Sequence, residues 1–368
     1  MPVLKVLTVS SETGGARNLA EVVEVFQLSV SFTNLCAKSA INVFKEKHFP
    51  YRDIDNVHDI NDLSDLVRSI APDAILSGRG IELASPERMA VVIARNLKIP
   101  SVGVIDEWYD YKKNYVDKKG DLSSLPDMVC CPDEQARAEA IEDGLPTDQI
   151  CVTGSPLFAS VLSKPNIEDN QVSGQATPSL ANREQLLIVF ISEVIQSSSA
   201  EEKKASRLKG DGAPGYDEHE VRRILLDCLE DLKISCTVLE KIHPSARGES
   251  YQTLNSKVID WHTVREINRR NLFKHADLVV GMRSAALLEA KLLGVPVVSL
   301  QPGLVGPNRC TAARKELIPC FSRVDSFKTW LQSQSFPYRA HLKTRPDFAC
   351  EKAASNVMSA LRNLVITC

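Results

Sequence analysis

The sequence predicts an α/β protein with two doubly wound, Rossmann-like domains, and three observations lead to this fold class. Short apolar runs alternate with stretches of helical periodicity along most of the chain, as expected for parallel strands joined by helices. The 368 residues suffice for two domains of ordinary size. A polar stretch with Pro and Gly at residues 163–184 separates two such strand–helix series.

Each half of the chain contains five apolar segments that we interpret as strands. In the N-terminal half they are residues 3–9, 74–76, 101–105, 128–131 and 150–152, with helices predicted over 19–28, 89–97 and 136–141. In the C-terminal half they are residues 186–191, 237–242, 258–261, 278–280 and 295–300, with a helix predicted over 221–232. Because helical segments separate the strands, we predict a parallel sheet covered by helices in each half of the chain.

These segments divide the chain into four regions. We predict a first domain over 1–162, a linker over 163–184, a second domain over 185–348, and a C-terminal helix over 349–368. That helix is a candidate to pack back on the first domain. Residues 197–215 form a polar insertion, and a functional loop and a disordered loop both remain open interpretations of it.

Composition and spacing exclude several classes of function. The net charge of −3 gives no overall positive field for nucleic acid. No apolar run is long enough to cross a bilayer, and the first residues are typical of a strand rather than a signal peptide. The ten cysteines show no C-x-x-C spacing and the histidines no ligand spacing, so we predict reduced thiols, no metal site and no cofactor. Walker and G-x-S-x-G motifs are also absent from the sequence.

Residues 276–303 carry the strongest indication of a ligand site. The segment predicts a strand, a tight turn at Gly281, a helix that begins near Ser284, and a second strand. The first amides of a helix have no partners within the helix and favour an anion such as phosphate. Glu289 lies about one and a half turns further on, where a carboxylate can accept hydrogen bonds from ribose. A plain βαβ unit with a surface glutamate is the alternative interpretation.

The loop after the first strand is a candidate for acid–base chemistry. It contains Glu12 and the pair Gly14-Gly15, and paired glycines let a ligand approach the backbone closely. In an α/β sheet, ligands bind outside the carboxyl ends of the strands, which is where this loop lies. A simple strand-to-helix turn with a solvated glutamate is the alternative.

The segment after the strand at 101–105 is the second candidate. Asp106 and Glu107 follow the strand directly, and a partly desolvated carboxylate is suited to proton transfer. Trp108, Tyr109 and Tyr111 come next, and their rings can stack on a sugar. A packed, hydrogen-bonded aromatic loop under the sheet is an equally good interpretation.

His243 follows the predicted strand at 237–242, with Pro244 and Ser245 after it. A histidine held at a strand end by a following proline can donate a hydrogen bond to a phosphate, and it can also carry positive charge there. A His-Pro pair is common by chance, but this one precedes the 276–303 segment by one strand–helix unit. Residues 154–156, after the strand at 150–152, are interpreted as a plain turn between domains.

Taken together, these residues resemble nucleotide-sugar enzymes of the GT-B type. The segment from Gly281 to Pro296 is similar to the nucleotide-binding segment of lipid A disaccharide synthases and UDP-N-acetylglucosamine 2-epimerases. His243-Pro244 resembles the His-Pro motif of bacterial sialyl- and polysialyltransferases, and residues 11–15 resemble the N-terminal loop of the disaccharide synthases. The usual pair of hydroxyl residues is Ser284-Ala285 in this chain, with Arg283 before it.

The resemblance implies two facing Rossmann-like domains with the active site in the cleft between them. It implies that the second domain binds a nucleotide-sugar donor of the UDP or CMP type. The candidate donor-binding residues are His243, Pro244, Ser245, Gly281, Arg283, Ser284, Ala285 and Glu289. The candidate acceptor-side residues are Gly14, Gly15, Glu107, Trp108, Tyr109 and Tyr111, with Asp106 or Glu12 as the catalytic base.

The leading hypothesis is a metal-independent glycosyltransferase that moves a sugar from a nucleotide sugar to an acceptor hydroxyl on a glycan or a lipid-linked molecule. The alternatives are a hydrolysing nucleotide-sugar 2-epimerase and a non-catalytic nucleotide-sugar-binding protein of the same fold. We expect a cytoplasmic protein, and a lipid acceptor would place it at the membrane surface.

Overall fold

A computed structural model of the chain describes residues 3–57, 59–80, 82–164, 185–195, 214–243, 256, 258–265, 267, 269–334 and 345–367. The chain divides into two compact units. The first comprises Met1–Lys164 with Thr344–Cys368, and the second comprises Pro165–Lys343. Almost all of the predicted linker and of the predicted insertion at 197–215 lies outside the described residues.

The first unit is built on one parallel sheet. Its strands are β1 (Leu4–Ser10), β2 (Val30–Cys36), β3 (Arg52–Asp53), β4 (Ala74–Ser77), β5 (Ser101–Val104), β6 (Met128–Cys131) and β7 (Ile150–Val152). Their order across the sheet is β3-β2-β1-β4-β5-β6-β7, and every neighbouring pair is parallel. The order reverses between β1 and β4, as in a doubly wound sheet, so the loops after β1 and β4 lie side by side.

Helices cover both faces of this sheet. They are α1 (Thr13–Phe26), α2 (Ala40–Glu46), α3 (Ile60–Ile70), α4 (Pro86–Leu97), α5 (Glu134–Glu142) and α6 (Pro156–Ser163). Side chains with oxygen acceptors start several of them: Ser85 caps α4 ahead of Pro86, and Asp133 caps α5 by accepting from the amide of Ala136 at 2.8 Å. The observed start of α1 at Thr13 places Gly14 and Gly15 in its first turn, so the loop after β1 is shorter than the sequence suggested.

Alternate residues of β1 supply two separate hydrophobic layers. Val6 packs in the layer below α1 and α2, whereas Leu7 and Val9 pack with α3 and α4 on the opposite face. Successive side chains of a strand point to opposite faces, so one apolar run can serve both layers. The final helix of the chain, Ala353–Thr367, contributes Leu361 and its neighbours to the first of these layers.

The second unit repeats the architecture. Its strands are β8 (Leu186–Ile191), β9 (Cys236–Lys241), β10 (Ile259–Val264), β11 (Leu278–Gly281), β12 (Val297–Leu300) and β13 (Cys320–Phe321), in the order β10-β9-β8-β11-β12-β13. Its described helices are α7 (Glu218–Asp231), α8 (Arg269–His275), α9 (Ala285–Leu292), α10 (Thr311–Arg314) and α11 (Val324–Gln332). We label the final helix of the chain, which belongs to the first unit, α12.

The predicted fold class is confirmed, since both sheets are parallel and both carry helices between their strands. Three strands, β2, β3 and β13, were not predicted from the sequence. β3 and β13 have two residues each and lie at sheet edges. β2 has seven residues and lies between β3 and β1, but polar residues interrupt its apolar run. The nine cysteines among the described residues are free thiols. None of the described helices is long and apolar enough to span a bilayer.

Candidate functional site

The carboxyl ends of β1, β4 and β5 bring three segments of the first unit together. A Cβ atom on Gly14 would overlap Oδ2 of Asp106, which follows β5. A Cβ on Gly15 would lie 3.2 Å from the Cα of Gly78, which follows β4. The two glycines therefore let the start of α1 approach both neighbouring loops, and Gly14 lies beside the candidate base Asp106.

An arginine that the sequence analysis did not single out lies at the centre of this cluster. Nε of Arg79 is 3.2 Å from Oδ1 of Asp106, and a terminal guanidinium nitrogen is 2.6 Å from Oε2 of Glu107. The Arg79 and Asp106 side chains are only 8% and 9% exposed. The guanidinium also lies against the ring of Tyr109, 5.8 Å from its centroid. The cluster is a buried cation held between two carboxylates and an aromatic face.

Asp106 is electrostatically suited to exchange a proton near neutral pH. Burial is the largest influence on its pKa and raises it to about 6, while the Arg79 charge opposes this rise. The charges of Glu107 and Glu12 act in the same direction as burial, and the value of about 6 is the balance of these opposing influences. Glu12 itself is the N-cap residue of α1, so the sequence-predicted pair Asp106 and Glu12 belongs to one electrostatic cluster.

A second buried carboxyl, from Glu87 on α4, holds the loop after β1. Oε1 of Glu87 accepts hydrogen bonds from the backbone amide of Ser11 at 2.5 Å and from its hydroxyl at 2.8 Å. Burial raises the pKa of Glu87 to about 7, despite the lowering effect of these hydrogen bonds. Glu87 thus ties α4 to the segment that carries Glu12 and Gly14.

The aromatic residues after Glu107 do not share one role. Trp108 is 1% exposed, its Nε1 donates to both carboxylate oxygens of Asp133, and its ring packs against Phe158 and Phe348. Tyr111 is also buried and donates its hydroxyl proton to Glu139 at 2.8 Å. Trp108 and Tyr111 therefore fit the packed-loop interpretation rather than stacking on a sugar, whereas Tyr109 belongs to the Arg79 cluster.

In the second unit, three backbone amides converge on one carboxylate. The amides of Met282, Arg283 and Ser284 donate to Oε1 of Glu193 at 3.2, 2.7 and 2.9 Å. Nε of Arg283 lies 3.6 Å from the other oxygen of Glu193. Burial raises the pKa of Glu193, and the three amides and the Arg283 charge oppose that rise. The amides of the turn before α9, which the sequence analysis assigned to a phosphate, thus surround an internal carboxylate.

The predicted start of the helix after β11 is observed. Ser284 is the N-cap of α9, and its hydroxyl oxygen accepts from the amide of Ala286 at 3.2 Å. Ala285 is the first helical residue. A Cβ on Gly281 would lie 2.9 Å from a methyl group of Leu287, so the glycine allows β11 and α9 to pack closely.

Glu289 and His243 share Arg269 as a neighbour. Oε1 of Glu289 is 3.5 Å from a guanidinium nitrogen of Arg269, and the Glu289 side chain is 5% exposed. The pKa of His243 is lowered, mainly by burial and then by the charges of Arg269 and Lys241. The lowered pKa favours the neutral imidazole of His243 over the cation that the sequence also allowed. Pro244 and Ser245 lie outside the described residues.

Over the part of the chain that the structure describes, no group of three or more His, Cys, Asp or Glu side chains is arranged to hold a metal ion. The clusters described above pair carboxylates with arginines instead.

Comparison with known proteins identifies the fold. No protein-family model matches the chain, and no curated protein sequence matches it. The solved UDP-GlcNAc 2-epimerase of Neisseria meningitidis, bound to UDP-GlcNAc, is 16% identical, with a TM-score of 0.68 over 98% of this chain and 100% of that one. The Methanocaldococcus jannaschii enzyme, in complex with UDP-GlcNAc and UDP, is 13% identical, with a TM-score of 0.66 over 98% and 100%. The glycotransferase of kitacinnamycin is 13% identical, with a TM-score of 0.56 over 99% and 96%.

The chain has a GT-B-type fold. The likeness covers both Rossmann-like units, so the resemblance noted in the sequence is confirmed at the level of the fold. In this GT-B chain the loops after β1, β4 and β5 carry the Asp106 cluster, and those after β8, β9 and β11 carry Glu193, His243 and Ser284.

Sequence reasoning missed four residues of these two clusters: Arg79, Glu87, Glu193 and Arg269. A signal was present for two of them, because Arg79 lies in Gly78-Arg-Gly80 directly after β4 and Glu193 follows β8 by two residues. Inspection of the residues after every predicted strand would have found both. Glu87 and Arg269 lie within helices, where no local pattern marks them.

Proposed function

We propose that this protein is an enzyme that acts on a nucleotide sugar, and that its reaction is epimerisation at carbon 2 of the sugar through elimination of the nucleotide. The observation that carries the proposal is the likeness over the whole chain to UDP-GlcNAc 2-epimerases. Glycosyl transfer was the leading hypothesis from the sequence, and because of this likeness it becomes the second candidate.

The proposed base is Asp106. Its carboxylate removes the proton from carbon 2, the bond from carbon 1 to the nucleotide oxygen breaks, and the electron pair leaves with the diphosphate. A double bond then joins carbons 1 and 2. Return of a proton to the opposite face of carbon 2, with water or the nucleotide adding to carbon 1, completes the reaction. A pKa of about 6 leaves Asp106 largely ionised at neutral pH, as a base requires.

The second unit supplies the proposed nucleotide site. Glu193 already accepts hydrogen bonds from the amides before α9. We therefore propose that the side chains of Arg283 and Arg269 bind the negatively charged phosphates, with the neutral imidazole of His243 as a further hydrogen-bond donor. Glu289, buried beside Arg269, is the proposed partner of the ribose hydroxyls. Guanidinium groups suit phosphate because they present several donors in one plane.

The ribose assignment predicts the effect of Glu289→Ala. Saturation with UDP at about 100 times its dissociation constant should stabilise the wild-type protein by about 2.7 kcal/mol, and the variant should lose this thermal shift. Glu230→Ala, an exposed change on α7, is the control and should keep the shift. Normal UDP binding by Glu289→Ala would remove Glu289 from the nucleotide site.

The test of the reaction is incubation with UDP-GlcNAc in D₂O without any acceptor, followed by NMR of the sugar products. An epimerase exchanges the hydrogen at carbon 2 with solvent, so deuterium at that carbon and inverted configuration are expected. Asp106→Asn should abolish the incorporation.

Glycosyl transfer is the second candidate, and the likeness to the kitacinnamycin glycotransferase favours it. In that case Asp106 or Glu12 deprotonates an acceptor hydroxyl, which displaces the nucleotide at carbon 1. The sugar would then be consumed only when acceptor is present and without deuterium at carbon 2. Binding of UDP without turnover under either condition would point to the non-catalytic alternative.

A further inference from the structure

Arg79 lies between the candidate base Asp106 and a second acid, Glu107, without forming an ordinary hydrogen bond to Asp106. Its Nε and Oδ1 of Asp106 are 3.2 Å apart, yet neither atom has a hydrogen-bond partner among the described residues. The two side chains are nearly buried, so their interaction is chiefly that of opposite charges at low dielectric.

We propose that Arg79 is a positioning residue that keeps the Asp106 carboxylate ionised and fixed against Gly14, and that it thereby sets the pH range in which the enzyme works. The proposal rests on the proposed function only for the role of Asp106 as base. The electrostatic relation between Arg79 and Asp106 stands on the geometry of the two side chains.

The charged groups around Asp106 explain why a cation is needed there. Glu12 faces it from the start of α1 and Glu107 from its own segment, and both act to keep Asp106 protonated. Arg79, from the loop after β4, is the charge that acts in the opposite direction. The nearby phenol of Tyr115 is protonated at neutral pH, since burial raises its pKa well above its ordinary value. Without Arg79, a buried Asp106 beside two carboxylates would hold its proton at neutral pH.

The packing of this cluster supports a positioning role. Gly14 lies against Oδ2 of Asp106, and a side chain at position 14 would overlap that oxygen. Arg79 occupies the side of Oδ1 and is itself held by Glu107 and by the face of Tyr109. The carboxylate is therefore fixed by a glycine on one side and a guanidinium on the other.

The experiment compares Arg79→Gln and Arg79→Lys with the wild-type protein. Titration of the Asp106 carboxyl by ¹³C NMR, assigned with Asp106→Asn, reports its protonation directly and requires no turnover. Loss of an opposite charge at this distance should raise the Asp106 midpoint by about 1 to 3 pH units in Arg79→Gln. Arg79→Lys, which retains the charge, should restore most of the wild-type midpoint.

Two further variants make the result decisive. Arg88→Gln removes another buried arginine of the same unit, one that donates to the carbonyl of Val116, and it should leave the Asp106 midpoint unchanged. Glu107→Gln removes a like charge and should lower the midpoint, the opposite direction to Arg79→Gln. Glu107→Gln thus tests the electrostatics even if Arg79→Gln does not fold.

Turnover provides the second readout. The acid limb of the kcat profile should move to higher pH together with the NMR midpoint, while KM and UDP affinity stay close to the wild-type values. An unchanged midpoint in folded Arg79→Gln would overturn the proposal, and so would a loss of UDP affinity, because Arg79 would then contact the ligand itself. Absence of turnover by the wild-type protein would contradict the proposed function, but it would not affect the titration result.

Discussion

At the scale of single residues, three buried carboxyl groups have different roles because they have different neighbours. Burial raises the pKa of Asp106, of Glu87 and of Glu193, but each meets a different neighbour: a guanidinium, a serine and a set of amides. The neighbour decides the role. Asp106 follows a strand beside a guanidinium and is the candidate for proton transfer to a substrate, whereas Glu87 and Glu193 accept from backbone amides and hold chain segments in place.

Asp106→Asn is expected to lower kcat by about 100-fold or more, because removal of a general base typically costs that much, and to leave UDP affinity unchanged. In the wild-type protein the base must be ionised, so kcat should rise as the pH rises through about 6. Steady-state kinetics over a pH series measures both effects. A variant with wild-type turnover would exclude Asp106 as the base.

Glu87 should make the protein less stable as the pH rises. Its pKa in the folded protein is about 7, above the ordinary 4.5, so the folded state binds more protons than the unfolded state between these values. The free energy of unfolding should therefore fall from about pH 4.5 to about pH 7, and Asp106 contributes a change of the same sign. Glu87→Gln keeps an oxygen acceptor for Ser11 and cannot ionise, so its melting temperature should fall less over this range.

A pH series of thermal melts tests this prediction. Glu142→Gln, an exposed change at the end of α5, is the control and should follow the wild-type curve. If Glu87→Gln follows that curve as well, Glu87 does not titrate over this range.

At the scale of single elements, the turn between β11 and α9 shows how the amides at the start of a helix find acceptors. Met282, Arg283 and Ser284 form a turn between β11 and α9, and its three amides point at one carboxylate from the loop after β8. Ser284 then caps α9 with its own hydroxyl. The carboxylate and the cap together satisfy the amides that a strand-to-helix turn leaves without partners.

Glu193→Ala should destabilise the second unit. Three amides lose their shared acceptor, and leaving one buried and two partly buried donors unsatisfied should cost about 2 to 4 kcal/mol of the free energy of unfolding. Glu193→Gln keeps one oxygen acceptor and should lose less. Chemical denaturation measures both, and equal stability of Glu193→Ala and the wild-type protein would show that the turn does not depend on this carboxylate.

At the scale of the whole molecule, the chain crosses from one unit to the other and returns. Residues from 165 to 343 form the second unit, and the chain then re-enters the first, where α12 packs with α1 and the sheet. Val357, Met358 and Leu361 of this helix are fully buried. The first unit therefore depends on residues at both ends of the chain.

Leu361→Ala should destabilise the first unit by about 2 to 5 kcal/mol, as expected when a buried leucine is truncated and leaves a cavity. Ile366→Ala on the same helix is the matched control, since Ile366 is 81% exposed and its loss should change little. Calorimetry that resolves the transitions of the two units should show the effect in the first unit alone. A shift confined to the second unit would contradict the assignment of α12.

The sequence predicted the elements of both sheets better than it predicted the site. Strands such as β4, β5 and β11 were recognisable because buried parallel strands are continuous apolar runs, whereas β3 has two exposed residues and no such run. Glu12 and Asp106 were found because they follow strands directly. Trp108 was ambiguous, since an aromatic residue after a strand has the same pattern whether it packs or binds a ligand.

The sequence by itself determined two parallel α/β units, because the spacing of apolar residues and the turns between them are local properties of the chain. Tertiary structure alone decided which charges meet. Glu193 reaches amides 89 to 91 residues further along, and Arg79 meets Asp106, because β8 and β11, and likewise β4 and β5, are neighbours in their sheets. A parallel sheet brings the carboxyl ends of strands together from distant parts of the sequence, and the chemistry of this protein depends on those meetings.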